Sequence, residues 1–288
     1  MTAKSSPRAA GKSQRLLDRI YVLCTTRDLW LAKISVASIR HWYADMPMTL
    51  IKDRTLGDFS TEEMERCWNV SSMVLAHDRC GLGFAKIELL LRPVRERFLV
   101  LDADTVMCGP VLALLEKFAE DFIVPGQPID NTRDHSFTSI YYDLDRLRKL
   151  DPAFRFPGYA FNTGVFVGTS GVLTRDLFEP HLIWDSPIRL KAPEVFSCFD
   201  QGVLNYVLMK RAAQGALTLR PADFMIWGFA PQAKQLDVQR IAARRGYDAI
   251  VHYAGAKPAS IIEFPAAELL LHFDRLYHSA VAQVLSEP

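Results

Sequence analysis

Short apolar runs alternate with amphipathic segments along the first part of the chain. Residues 20–24, 48–51 and 98–101 are apolar runs bounded by polar or turn-forming residues, and each predicts a buried strand. Between the first two runs, residues 31–43 repeat apolar side chains at helical spacing and predict an amphipathic helix. This alternation is typical of an α/β protein whose mostly parallel central sheet carries helices on both faces.

The remaining elements are predicted in the same way. Ser60, followed by Glu63, has the form of a capping box and predicts the start of a helix. Pro110 suits the first turn of a short helix. The further predicted elements are helices at 60–68, 84–91, 110–118, 200–211 and 266–285, strands at 122–124, 161–168 and 249–253, and an irregular or partly helical segment at 127–157.

One predicted strand ends in a pair of aspartates, within the sequence FLVLDADTVMC at 98–108. Residues two apart in a strand point the same way, so Asp102 and Asp104 are expected to project together. Adjacent carboxylates repel and lose hydration unless a cation lies between them, and a hard divalent metal is the favoured candidate. The alternative is an ordinary exit from a strand into a loop, where Asp is a common turn former.

A second group of candidate ligands lies late in the chain, in the sequence HYAGAKP at 252–258. His252 follows an apolar run, where an imidazole is either a hydrogen-bonded core residue or a ligand. Gly255 would let the backbone approach a ligand, and Lys257 could neutralise a phosphate. Two carboxylates and one imidazole point to manganese rather than calcium, with open positions that diphosphate oxygens could fill.

Four further features are candidates that also have ordinary structural interpretations. Residues 162–164 (NTG) and 200–202 (DQG) are polar insertions beside apolar segments, which suit a turn and a helix N-cap as well as a site. Trp30 ends a polar loop at 25–30 and is placed either in the core or against a base. Lys86 is either a solvated charge or a site residue.

The composition limits the classes of protein. The 288 residues suit one large domain or two small ones, and 49% hydrophobic with 23% charged residues is ordinary for a globular protein. A net charge of +1 gives no electrostatic case for nucleic acid. No apolar run approaches the roughly 20 residues of a membrane span. Residues 1–19 lack the hydrophobic block of a secretory signal and are predicted to be a disordered basic tail.

The cysteines indicate the redox environment. Five cysteines are dispersed along the chain with no CxxC pair, which argues against a zinc cluster and favours a reducing compartment. We therefore expect a cytoplasmic protein, with peripheral attachment at the inner face of the membrane as the alternative.

Taken together, these segments resemble the family 8 retaining glycosyltransferases, and are most similar to glycogenin and the bacterial galactosyl- and glucosyltransferases of that group. The matching segments are TTRDLW (25–30), Lys86, FLVLDADT (98–105), FNTGVFVG (161–168), DQGVLN (200–205) and VHYAGAKP (251–258), in the family's order over nearly all of 20–258. The DxD pattern alone is shared by many glycosyltransferases, but the ordered set is specific.

The resemblance implies a fold and a division of the chain. The implied fold is the single-domain A-type glycosyltransferase fold, with a Rossmann-like half that binds the nucleotide. We expect the catalytic domain to span 20–262, after the tail at 1–19. The amphipathic helix within 263–288 would then pack on the domain or on a partner chain, which leaves a homodimer open.

The resemblance also implies roles for individual residues. The implied metal ligands are Asp102, Asp104 and His252. The implied donor-binding residues are Thr25, Thr26, Arg27 and Trp30 around the uridine, Lys86, Asn162 and Thr163 near the sugar, Ala103 within the DxD motif, and Gly255 with Lys257 at the diphosphate. The implied catalytic residues are Asp200 and Gln201.

The implied activity is that of a retaining hexosyltransferase. It would move glucose or galactose from a UDP-sugar to a glycan acceptor, with Mn²⁺, or alternatively Mg²⁺, stabilising the UDP leaving group. The chain differs from the family where only Ala256 separates Gly255 from Lys257, and where Ala259 replaces an aromatic residue. Two alternatives remain: a non-catalytic binder of UDP-sugars, and a sugar nucleotidyltransferase. The second usually needs a glycine-rich loop, whereas residues 20–56 contain no glycine.

Overall fold

A seven-stranded sheet forms the centre of the protein. The structure is a computed structural model that describes residues 16–255, 257–258 and 260–286. Over these residues the strands are β1 (Arg19–Cys24), β2 (Met48–Lys52), β3 (Ser71–Met73), β4 (Arg97–Asp102), β5 (Thr105–Met107), β6 (Phe122–Val124), β7 (Gly126–Pro128), β8 (Tyr159–Phe161), β9 (Val165–Thr169), β10 (Leu182–Ile183), β11 (Arg189–Leu190), β12 (Leu219–Pro221), β13 (Met225–Trp227) and β14 (Ile250–His252). The α-helices are α1 (Leu29–Trp42), α2 (Glu62–Trp68), α3 (Ala85–Leu90), α4 (Leu112–Leu115), α5 (His135–Thr138), α6 (Leu144–Leu150), α7 (Asp200–Ala213), α8 (Val238–Ala242) and α9 (Ala267–Ser286).

The sheet is mostly parallel. Its strands lie in the order β12–β6–β9–β4–β1–β2–β3, and neighbours are parallel except in the two pairs that contain β9. The side chains of β4 from Phe98 to Leu101 are fully buried, as expected for a central strand covered on both faces. The predicted α/β class and sheet type are confirmed.

Two hydrophobic cores lie on opposite faces of the sheet. Alternate residues of β1 belong to different cores, with Val22 in one and Leu23 in the other. The first core contains buried residues of α1 and α9, and the second contains those of α3 and α7. The helices therefore fix the sheet from both sides and leave the carboxyl ends of its parallel strands accessible.

Three smaller sheets accompany the central one, and one of them shapes the site. In that sheet β14 lies between β13, to which it is parallel, and β5, to which it is antiparallel. The pairing places His252 opposite Thr105, directly after the aspartate pair. The others pair β7 with β8 and β10 with β11.

The C-terminal helix α9 packs on the face of the protein formed by α1 and α2. Leu270 and Phe273 are fully buried in the first core, and the ring of Tyr277 stacks on Trp68 at 5.3 Å between centroids. The Tyr277 hydroxyl donates to the Glu63 carboxylate at 2.8 Å. Over the part of the chain that the structure describes, no helix has the length and apolar character needed to cross a bilayer.

The predicted strand at 161–168 is in fact two strands, and the segment 98–108 that holds the aspartate pair also divides into two. The run 98–108 turns at Ala103 and Asp104, so β4 joins the central sheet and β5 joins the small one. The run 161–168 is interrupted at 162–164, so that β8 and β9 also belong to different sheets. Apolar residues lie on both sides of each turn because both strands of each pair are buried.

Other local predictions also need correction. The capping box does not form, because the N-cap of α2 is Thr61 and the Ser60 hydroxyl accepts from Glu62 N at 3.3 Å. Trp30 does not end a loop, because α1 begins at Leu29. Residues 1–15 of the predicted tail lie outside the described residues. The segment 127–157 contains α5 and α6, as the partly helical alternative expected.

Candidate active site

A cavity of about 760 Å³ opens beyond the carboxyl ends of β1 and β4. Ligand sites in open parallel sheets lie at such ends. The predicted site residues that line it are Thr25, Arg27, Trp30, Lys86, Asp102, Asp104, Asn162, Thr163, Asp200, Gln201, His252, Gly255 and Lys257. Thr26 and Ala103 do not line the cavity: Thr26 is exposed and Ala103 is buried in the first core. The remaining lining residues are Leu23, Asp28, Leu31, Leu82, Gly83, Cys198, Phe199, Ala254 and Pro258.

Asp102, Asp104 and His252 converge at the floor of the cavity. One ligand atom from each lies within 4.8 Å of the others, and Nε2 of His252 is 3.1 Å from Oδ1 of Asp104. The turn after β4 is fixed from two sides, because Asp102 N donates to Gly164 O at 2.7 Å and Tyr253 N donates to Asp104 O at 2.9 Å. The carboxylates thus converge through a turn and a cross-strand pairing rather than through alternation along one strand.

The donor set fits a divalent cation. Two carboxylates and an imidazole supply oxygen and nitrogen ligands with two negative charges, a combination suited to manganese or a similar ion. Nδ1 of His252 is buried with no hydrogen-bond partner among the described residues, while Nε2 is directed at the carboxylates. The imidazole therefore presents Nε2, and not Nδ1, to the two carboxylates.

The same geometry requires a glycine at position 164. A Cβ at this position would lie 2.2 Å from Cε1 of His252 and 2.6 Å from Oδ2 of Asp102. The backbone of the 162–164 turn therefore touches the proposed ligands directly. The FNTG sequence indicated a turn, but not that its glycine borders the imidazole.

Two lysines neutralise the aspartates from opposite sides. Nζ of Lys86 lies 2.9 Å from Oδ1 of Asp102 and 3.6 Å from Oδ2 of Asp200, and its side chain is only 3% exposed. Nζ of Lys257 lies 2.5 Å from Oδ2 of Asp104 and donates to Gly255 O at 2.8 Å. The shortened loop thus still brings Lys257 to the aspartate pair; Ala256 and Ala259 of this loop lie outside the described residues.

Burial and ion pairing shift the pKa values of these groups in opposite directions. Burial alone would raise the pKa of Asp104, but His252 and Lys257 outweigh it and hold the pKa well below its usual range. Burial would lower the pKa of Lys86, yet Asp102 and Asp200 raise it above its ordinary value. For Asp200, burial dominates and raises the pKa, against the opposing charge of Lys86.

Helix α7 holds the 162–164 turn through a network of amide side chains. Oε1 of Gln201 accepts from Asn162 Nδ2 at 2.9 Å and from Thr163 N at 3.1 Å. Asn205 clamps the end of β8, accepting from Phe161 N at 3.0 Å and donating to Phe161 O at 2.8 Å. The DQGVLN sequence therefore places Asp200 at the cavity and fixes the turn that borders Asp102 and His252.

The first loop forms the other end of the cavity. Trp30 is 37% exposed and its indole packs edge-on against Phe264 at 5.9 Å between centroids. Sequence reasoning missed Asp28, whose Oδ1 accepts from Thr25 N at 2.6 Å and from the Thr25 hydroxyl at 2.9 Å. Burial, supported by the charges of Asp104 and Asp102, raises the pKa of Asp28 to about 6. The sequence signal that could have identified Asp28 was its position within the TTRDLW segment.

The structure also brings two loops to Asp200 that the sequence did not indicate. A Cβ at Gly83 would lie 1.8 Å from Oδ1 of Asp200, so the backbone of this loop borders the carboxylate. Leu82 and Phe199 line the cavity beside it, and both have positive φ angles of 68° and 55°. Non-glycine residues with such angles leave no periodic signal in a sequence.

Solved glycosyltransferase structures share this fold. Glycosyltransferase GlyE of Streptococcus pneumoniae TIGR4 matches with a TM-score of 0.55 at 13% identity, over 93% of this chain and 63% of its own. The bifunctional glycosyltransferase WbbM matches with a TM-score of 0.58 at 12% identity, over 97% of this chain and 53% of its own. The galactosyltransferase LgtC, solved in complex with donor and acceptor sugar analogs, matches with a TM-score of 0.55 at 14% identity, over 91% and 95%.

These matches establish the A-type glycosyltransferase fold. The chain spans less than two thirds of the length of GlyE and WbbM, and nearly all of LgtC. No protein-family model and no curated protein sequence matches the chain.

Proposed function

We propose that the protein is a retaining hexosyltransferase that moves glucose or galactose from a UDP-sugar to a glycan. The observation that carries the proposal is the convergence of Asp102, Asp104 and His252 with the Lys86–Asp200 ion pair in one cavity of a glycosyltransferase fold. The donor, the metal and the stereochemistry follow from the sequence resemblance and from the chemistry of these groups.

Each end of the cavity suits one part of the donor. Asp102, Asp104 and His252 would hold the metal, Mn²⁺ before Mg²⁺, which when bound offsets the charge that develops on the departing diphosphate. Lys257 is near enough to the same group to neutralise a phosphate oxygen. Trp30 offers an exposed aromatic face for the uracil, beside the Thr25–Asp28 hydrogen bonds.

We assign to Asp200 the stabilisation of positive charge at the anomeric carbon. Its carboxylate lies 3.6 Å from Nζ of Lys86 and borders the Gly83 backbone. A charge held in this way would be available where positive charge develops in the transition state. Because Oε1 of Gln201 already accepts two hydrogen bonds, we assign this residue to positioning the 162–164 turn rather than to attack. Front-face transfer then breaks the bond from C1 to the phosphate oxygen and forms one to the acceptor oxygen on the same face. The acceptor proton passes to the departing UDP.

The first test is acceptor-free release of UDP from a panel of UDP-sugars, with and without Mn²⁺. We expect slow hydrolysis of UDP-glucose or UDP-galactose that stops on chelation of the metal. Tight Mn²⁺-dependent UDP binding without turnover of any donor, even with glycan acceptors, would favour the non-catalytic binder. Absence of UDP binding would refute the nucleotide site.

The metal-ligand assignment has its own test. Asp104→Asn should abolish Mn²⁺-dependent UDP binding measured by calorimetry, because it removes one charge from the ligand group. Asp130→Asn, at an exposed aspartate outside the cavity, is the matched control and should bind UDP like the wild type. Unchanged binding by Asp104→Asn would refute the assignment.

Asp200→Asn separates chemistry from binding. Lys86 keeps its partner Asp102 in this variant, so the fold and the affinity for UDP should be retained. We expect turnover to fall by about 10²-fold or more, the usual loss when a charge that acts in the transition state is removed. Turnover at the wild-type rate would exclude Asp200 from the mechanism.

A further inference from the structure

An exposed aromatic ring lies beside the buried charges of the cavity. Phe199 is 49% exposed, whereas the adjacent Asp200 and its partner Lys86 are each 3% exposed. The ring lines the cavity and contacts Phe84 edge-on at 6.4 Å between centroids. The cavity therefore changes from charged and buried at Asp200 to apolar and solvent-exposed within one residue.

The backbone holds Phe199 in a conformation that normally requires glycine. Its φ of 55° and ψ of −116° correspond to the first central position of a type II′ turn. Gln201 N donates to Cys198 O at 3.0 Å, which closes this turn. A bulky residue in this region costs about 1–3 kcal/mol and persists only where the surroundings enforce it.

Neighbouring contacts enforce the turn. Gly202 packs against the carbonyl of Tyr141, from which a Cβ would be only 2.1 Å away. The Ser197 hydroxyl donates to Thr138 O at 2.6 Å. These contacts fix the chain on both sides of Phe199, so its side chain is displayed in the cavity instead of being buried.

A second apolar side chain stands on the loop that faces this turn. Leu82 lines the cavity, and its φ of 68° follows a φ of 80° at Gly81. Gly83, the next residue, borders Asp200. Leu82 and Phe199 thus flank the Asp200 carboxylate from two loops, each with a costly backbone conformation.

We propose that Phe199, with Leu82 opposite, is the platform on which a pyranose ring of the acceptor stacks; this inference rests on the proposed function. A pyranose has an apolar C–H face and a polar rim, which suit an aromatic face beside charged groups. The acceptor enters from solvent, where Phe199 is exposed, whereas the donor hexose must reach the buried Asp200. Phe199 therefore determines acceptor specificity rather than donor binding.

The experiment compares wild type with Phe199→Ala and Phe199→Tyr, using methyl β-galactoside, methyl β-glucoside, lactose and maltose as probe acceptors. Loss of one stacking contact should raise the acceptor KM of Phe199→Ala about fivefold to tenfold. Phe199→Tyr should keep the wild-type acceptor KM, and in each variant the donor KM should change less than the acceptor KM. Leu150→Ala, which truncates a side chain that is 59% exposed outside the cavity, is the matched control.

The outcomes separate this inference from the proposed function. A larger rise in the donor KM than in the acceptor KM would place Phe199 at the donor and overturn the inference. Donor hydrolysis without transfer to any of the pyranosides would also overturn it, while leaving the proposed function intact. Absence of both hydrolysis and UDP binding would refute the proposed function, and the inference with it.

Discussion

Under the proposed function, Lys257 would act at two stages of binding. Its Nζ lies 2.5 Å from Oδ2 of Asp104, where it would compete with a bound cation for that carboxylate. The side chain is 28% exposed and anchored otherwise only by Gly255 O among the described residues, so it is free to exchange partners. When Asp104 coordinates the cation, a phosphate group bound to the same cation would become the new anionic partner of Lys257.

Lys257→Met should therefore change two affinities in opposite directions. Without nucleotide, Mn²⁺ should bind about threefold to tenfold more tightly, because the competing charge is gone. With saturating Mn²⁺, UDP should bind about tenfold more weakly, the usual loss of a hydrogen bond to a charged group. Calorimetric titrations with Mn²⁺ alone and with UDP measure both values.

A matched control and a clear contrary result exist for this variant. Lys234→Met, which alters an exposed lysine outside the cavity, should leave both affinities unchanged. If Lys257→Met bound Mn²⁺ alone more weakly than wild type, Lys257 would help to position the metal-binding carboxylates rather than compete with the cation for Asp104.

Single residues differ in how far the sequence reveals them. Asp102 and Asp104 could be predicted to meet because they follow an apolar strand, although a turn and not strand alternation brings them together. The family resemblance identified His252 as a candidate metal ligand, since a histidine after an apolar run can equally be a core residue. Phe199 could not be predicted, because its importance lies in its exposure and its backbone angles.

At the scale of elements, the turn before α7 stores strain at the site. Phe199→Gly relieves the positive φ and should raise the free energy of unfolding by about 1 kcal/mol, after the loss of the contact with Phe84. The corresponding rise in Tm is about 2–4 °C. The same variant should have a raised acceptor KM, because the ring is absent.

Arg244→Gly provides the control for this prediction. Arg244 is exposed, has a φ of 55° after α8, and does not line the cavity. Its replacement should also stabilise the fold, but should leave transfer to the probe acceptors unchanged. A Phe199→Gly variant less stable than wild type would show that the contacts of the ring stabilise the fold by more than its backbone conformation costs.

The sequence predicts elements better than it predicts where they divide. Long periodic segments such as α1, α7 and α9 are found within a few residues of their predicted bounds. The prediction of a single strand over 161–168 was wrong because apolar residues are buried on both sides of the turn, and hydrophobicity reports burial rather than the direction of the chain. The break at 162–164 depends on Gln201, which lies far along the chain and bonds to Asn162.

At the scale of the whole molecule, the sheet topology assembles the site from distant parts of the chain. The parallel strands β1 and β4 end at the cavity, and β14 returns late in the sequence to pair with β5. Strand order of this kind depends on long-range pairing, which local patterns do not encode. The family resemblance implied the grouping of His252 with Asp102 and Asp104, and the pairing of β14 with β5 brings these residues together.

Partly buried histidines make the stability of the whole molecule depend on pH. The ring of His181 packs edge-on against Phe196 and Tyr206, and burial, aided by the charge of Lys210, lowers its pKa to about 4. Burial also lowers the pKa of His41 and of His272. In the unfolded chain these imidazoles titrate near their ordinary pKa of 6.5.

The folded protein should therefore lose stability between pH 6.5 and 4. In this interval the unfolded chain binds protons that the folded state excludes, so the free energy of unfolding falls as the pH is lowered. For His181, which is partly exposed, we expect a loss of about 2 kcal/mol, less than its full pKa shift would give.

Urea denaturation at pH 7 and pH 4.5 measures the loss. His181→Phe should reduce it, whereas His135→Phe, at an exposed histidine, should not. Equal losses in the two variants would show that the pH dependence arises from other groups.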